Sequence, residues 1–81
     1  MHRVITTPLL LGEIVRQRRM SHRLSQAAVA AKLGISQTML SHLERDPGSF
    51  TLARLIAIAN ILGLELTISD RSDQSAPETE W

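Results

Sequence analysis

LSQAAVAAKLGISQTMLSHLER, residues 24–45, reads as two short helices joined by a tight turn at Gly34. Ser25 can cap the first helix, because its hydroxyl can accept a bond from an orphan amide one turn on. Ala28, Val29, Ala30 and Leu33 give that helix a small apolar face. Gly34 ends it, since glycine enters the left-handed C′ conformation without steric cost. Ser36 caps the second helix in the same way. Leu40 and Leu43 form one thin buried stripe, and the other positions are Gln37, Thr38, Ser41, His42 and Arg45. A short helix with so many hydrogen-bonding side chains presents them to something other than its own core.

That turn length and glycine fit a helix-turn-helix, whose second helix enters the DNA major groove. Gln37 can donate and accept at once, so it can grip adenine N6 and N7 together. Ser36 and Thr38 can bond to several bases, and the Thr38 methyl can also meet a thymine methyl. Ser41 and His42, one turn on, reach bases or phosphates. Gln26 stands at the first turn of its helix, where side chain and backbone amide can meet a phosphate. Arg45 and Arg23 are further phosphate candidates.

The chain has 81 residues, enough for one domain. It has no cysteine, so neither a disulfide nor a thiolate metal site reinforces it. Oligomerisation is therefore expected. One Trp, one Phe and no Tyr leave an aliphatic core. No apolar run approaches the roughly 18 residues of a membrane span. The N-terminus lacks an apolar segment with a small-residue cleavage site. A soluble cytoplasmic protein, associated with the nucleoid, is the simplest reading.

The net charge of +1 conceals a split. Residues 1–64 carry eight Arg and Lys against three acids, while residues 65–81 carry one Arg against five. A basic head suits a polyanion, and an acidic tail does not.

Outward from the motif, residues 1–7 read as an arm in which Val4 and Ile5 are candidates for a short strand. Thr7 caps a helix that starts at Pro8 and runs to Met20 or Ser21. Its inner face is Leu11, Ile14 and Val15, and its cationic end complements the helix dipole. After the motif, Asp46-Pro47-Gly48 signals a turn. Thr51 caps a helix over about 52–62, which Gly63 stops. That helix is apolar almost all round and needs burial on more than one side. Leu64, Leu66 and Ile68 then alternate with Glu65, Thr67 and Ser69, the pattern of a half-buried strand. With no strand partner in its own chain, it is expected to pair with its copy in a homodimer. Residues 71–81 are polar, acidic and expected to be disordered. Trp81 closes the chain, where a lone large aromatic can anchor in a partner's pocket.

Enzyme signatures are missing. There is no glycine-rich phosphate loop, no serine elbow and no close carboxylate pair beside a cleft. His2, His22 and His42 are spread over separate elements and make no metal site, and no cofactor is implied.

The pattern L-S-Q-x-x-x-A-x-x-L-G-I-S-x-x-x-L-S-x-L-E over residues 24–44 resembles the phage-repressor-like (XRE or Cro-type) helix-turn-helix family. Residues 8–63 share that likeness. It implies that Gln26 and Arg45 touch phosphates, that Ser36, Gln37 and Thr38 face bases, and that Arg19 pairs with Glu44. A narrower likeness rests on the ends: a T-x-P-like start, E-R-D-P-G after the second motif helix, the segment L-E-L-T-I-S-D, and a terminal Glu80-Trp81. These resemble HipB-type antitoxins. That resemblance implies a strand paired across a dimer, repression of the antitoxin's own operon, and a HipA-type serine/threonine kinase toxin whose pocket takes Trp81. Two departures stand out. The arginine-rich link at 18–23 is longer, and Ser36 stands where a lysine can occur.

The fold expected is mostly α: a four- to five-helix repressor-like helix-turn-helix domain over 8–63, with an arm at 1–7. A C-terminal strand at 64–70 pairs across the homodimer, and a tail occupies 71–81. The function expected is an antitoxin and repressor that binds an inverted repeat of double-stranded DNA. A phage-type repressor with no toxin, or a protein-interaction module, would account for the same central residues.

Overall fold

The computed structural model describes residues 2–71. Trp81 and its tail lie outside them. Among the described residues four helices form: α1 (Pro8–Ser21), α2 (Gln26–Leu33), α3 (Gln37–Arg45) and α4 (Leu52–Leu62). A single 3₁₀ turn, Pro47–Ser49, joins α3 to α4.

Each α-helix begins with a hydroxyl cap. The side chains of Thr7, Ser25, Ser36 and Thr51 accept from the amides of Leu10, Ala28, Met39 and Arg54 at 3.0–3.3 Å. Each such cap contributes about 1 kcal/mol. Three helices also end alike, with a 6→1 and a 5→2 backbone bond around a left-handed residue. Gly34 (φ 75°) and Gly63 (φ 70°) occupy that position after α2 and α4. After α1 it is Arg23, at φ 57°. Its amide donates to Met20 and the Leu24 amide donates to Arg19. An arginine at this angle brings Cβ against the following carbonyl, a strain of about 1 kcal/mol.

Val15, Val29, Ala30, Leu40, Ile58 and Leu62 meet in the core, with contributions from all four helices. Gly12 is buried where α1 crosses the 3₁₀ turn. A Cβ there would collide with the Pro47 ring and crowd the Glu44 carbonyl oxygen. That close approach sets the distance between α1 and the end of α3.

Two expectations change. The alternating segment at 64–69 forms no strand, and residues 64–70 carry no regular structure. Val4 and Ile5 form none either. A strand exists only through a ladder of bonds to a neighbour, and a single chain places none beside these residues. Of the three positions expected at the dimer, Leu64 is half-buried against the core, whereas Leu66 is 44% and Ile68 fully exposed. On α4, Ile58, Ala59 and Leu62 are buried, but Leu52 (70%) and Ile56 (45%) remain in solvent. The helix that needs burial on two sides receives it on one.

Candidate nucleic-acid interface

The geometry of α3 separates two faces. At 100° per residue, Gln37, Ser41, Arg45, Thr38 and His42 fall within an arc of about 140°. Gln37, Thr38, His42 and Arg45 are exposed, and Ser41 is half-buried beside them. Leu40 (0%) and Leu43 (1%) lie on the other side and are sealed in the core. The outer face is therefore polar because its side chains have nothing else to pack against. Ser36 is exposed at the N-terminus of α3, where its oxygen accepts from the Met39 amide at 3.0 Å. Its own hydroxyl hydrogen stays available. The Arg45 Nε donates to the Ser41 carbonyl at 3.3 Å, which lays that side chain along the helix. The His42 Nε2 stands 3.9 Å from Asp46 Oδ2, both side chains being more than half exposed.

Behind this face lies a buried ionic clamp. Glu44 points inward and is 4% exposed. Arg19 of α1 grips it with two parallel bonds, Nε to Oε2 at 2.7 Å and a terminal nitrogen to Oε1 at 3.1 Å. The other terminal nitrogen of Arg19 donates to the Leu24 carbonyl at 2.9 Å. Gln26 of α2 donates its side-chain amide to Glu44 Oε1 at 3.1 Å. One carboxylate thus ties α1, the α1–α2 corner and α2 to α3. Bidentate, charge-assisted bonds of this kind are directional, so they fix how α3 is presented.

The residues singled out from the sequence do not share one environment. Ser36, Gln37, Thr38, Ser41, His42 and Arg45 come together on α3. Gln26 is half-buried and turned onto Glu44, so part of its donor capacity is already committed. Arg23 is exposed at the α1–α2 corner. Arg18 is not a free surface cation: its Nε donates to the Leu62 carbonyl at 3.2 Å and closes the end of α4. Met39 is a residue that sequence reasoning passed over. It is 39% exposed and borders the polar arc next to His42. Its helical angle was readable, but it belonged neither to the Leu40–Leu43 stripe nor to the hydrogen-bonding positions. Among the described residues, no helix is long and apolar enough to cross a membrane.

A helix-turn-helix family model matches residues 15–68 of this chain. The antitoxin HipB of Escherichia coli strain K12 is 30% identical over 76 residues, covering 94% of this chain and 86% of that protein. The regulator RamB of Mycobacterium tuberculosis is 35% identical over 65 residues, which make up only 14% of its length. Among solved structures, a complex of a HipB variant with a 20-mer called O2 has a TM-score of 0.79 at 30% identity, covering 88% of this chain and 99% of that one. A HipA–HipB–O2–O3 complex follows with a TM-score of 0.78 at 28% identity, covering 86% and 99%. The chain belongs to the phage-repressor-like (XRE-type) helix-turn-helix family, in which HipB antitoxins are among its relatives.

Proposed function

We propose that this protein is a homodimeric, sequence-specific repressor that serves as the antitoxin of a HipA-type serine/threonine kinase toxin and represses its own operon. The observation that carries the reading is the two-faced α3, with an outer arc of donors and acceptors and an inner clamp on Glu44. Gln37 reads an adenine edge, helped by Ser36, Thr38, Ser41 and His42 on neighbouring bases. Arg45 and Arg23 hold phosphates, and Gln26 adds its uncommitted amide hydrogen. Two copies related by a two-fold axis set two such helices about 34 Å apart or a multiple of it, which matches an inverted repeat. Leu64, Leu66 and Ile68 supply the dimer contact. The toxin reading draws on the HipB relatives, one of which was solved in complex with HipA.

Gln37→Ala should cost about 1–3 kcal/mol of operator binding and relax preference at one base pair. Mobility-shift titration against operator and scrambled DNA measures both, and an unchanged affinity would remove Gln37 from the interface. Deleting Trp81 should leave operator binding intact while weakening capture of the kinase in a pulldown. Equal capture with and without it would make Trp81 an incidental terminus.

A further inference from the structure

Two segments without regular structure flank one groove beside α1. The N-terminal arm contributes His2, Arg3 and Ile5, and residues 64–67 face them across it. α1 adds Leu11 and Ile14 to the same groove. Among the described residues, no backbone hydrogen bond engages 2–6 or 65–68. Both segments nevertheless have strand chemistry. The arm runs Val4-Ile5-Thr6-Thr7, four β-branched residues in succession. The other alternates Leu64, Leu66 and Ile68 with Glu65, Thr67 and Ser69. Val4 is 59%, Ile5 44%, Leu66 44% and Ile68 fully exposed, so apolar surface lines both edges.

We propose that the occupant of this groove is the 64–69 segment of a second copy of the chain, paired on one side with the arm and on the other with its own counterpart. A two-fold axis then repeats the arrangement without further assumption. The strand order becomes arm, partner segment, own segment, partner arm. Four strands result where the segments alone would make two, and a two-stranded ribbon is marginal in water. The alternation turns Leu64, Leu66 and Ile68 of the inserted segment toward Leu11 and Ile14, and leaves Glu65 and Thr67 in solvent. Charge agrees with the pairing: the arm carries Arg3, and the segment carries Glu65. The arms become the outer edges, where a basic residue discourages further strand addition. The arm is thus a dimerisation element, not a free leader to the helical domain.

This inference rests on the homodimer proposed above, and its tests fail separately from it. The native chain has no cysteine, so single thiols can be placed cleanly. Val4→Cys and Thr67→Cys are made in separate full-length chains and treated with a short bismaleimide, alone and mixed. Thr67→Cys alone and the mixture should cross-link, whereas Val4→Cys alone should not, because the arms lie at opposite edges. In parallel, the double substitution Val4→Asp/Ile5→Asp should raise the dimer dissociation constant about tenfold or more in analytical ultracentrifugation. Both positions are exposed, so the helical circular dichroism of the diluted variant should match that of the parent. A dimer of unchanged affinity in the doubly substituted arm, or no mixed cross-link, overturns the arm's role and leaves the homodimer standing. A chain that is monomeric at every concentration overturns both.

Discussion

The helical domain and the two segments that flank it are built from the same aliphatic residues, yet only the domain completes its bonding within one chain. Between Thr7 and Gly63 every helix finds its caps within a few residues. Its apolar stripes then meet in one core. The arm and the 64–69 segment have strand patterns of comparable clarity and form no strand. Helices satisfy backbone groups locally, whereas strands need a neighbour that sequence position does not supply. Where the chain meets its own needs it is rigid and can aim a recognition face. Where it does not, apolar side chains such as Leu66 and Ile68 stay in solvent.

The comparison breaks hardest at Glu44. Glu44→Ala strands the Arg19 guanidinium in a site where its side chain is only 11% exposed, and it removes the acceptor of Gln26. Losing one partner of a buried pair costs about 3–5 kcal/mol, a large share of what so small a domain has. Urea unfolding followed by circular dichroism measures it. The double replacement Arg19→Met/Glu44→Leu should recover most of the loss, because no charge is then left buried alone. If it also restored full operator affinity, the clamp would matter for folding and not for presenting α3.

Gly12→Ala comes next. The added methyl meets the Pro47 ring and the Glu44 carbonyl, neither of which is a flexible chain end. α1 and the 3₁₀ turn must separate, at a cost of about 1–3 kcal/mol, read as a lower urea midpoint. An unchanged midpoint would mean that the turn yields freely and does not set the spacing.

How much of this was legible in the sequence depends on the range of the interaction. All four helices, their caps and the stops at Gly34 and Gly63 follow from residues within one turn of each other, and they form where those residues put them. The polar arc of α3 follows from the same periodicity. The Arg19–Glu44 pair joins residues 25 apart and came from family likeness, not from spacing. That Gln26 shares Glu44, and that Arg18 closes α4, depend on how helices cross in space, which no local pattern encodes. The alternation at 64–69 was readable as a strand pattern, but no strand forms there, since a pattern does not supply the neighbouring strand that a ladder needs.

Arg23→Gly offers a smaller and opposite effect. Glycine relieves the left-handed strain at the α1 terminus but loosens the unfolded chain, for a net gain of about 0.5 kcal/mol at most. The same change removes a cation proposed to hold phosphate, so operator affinity should fall and its salt dependence flatten by about one unit of slope. Greater stability with unaltered DNA binding would leave the arginine without a role at that corner.

The smallest effect isolates the flanking segment. Ile68 is fully exposed, so Ile68→Ser should change the stability of the dilute, monomeric chain by less than about 0.5 kcal/mol. At concentrations where two copies meet, the outcome should diverge. A dimer that binds only the folded state raises the melting temperature with protein concentration. The parent chain should show that rise, and Ile68→Ser should show much less of it, because an alternating segment with a hydroxyl at its apolar end seats poorly. Calorimetric scans over a hundredfold range of concentration therefore distinguish a residue that is exposed by design from one that is merely exposed. Parallel curves for the two proteins would place Ile68 outside the dimer contact, and would return the completed part of the molecule to residues 8–63 alone.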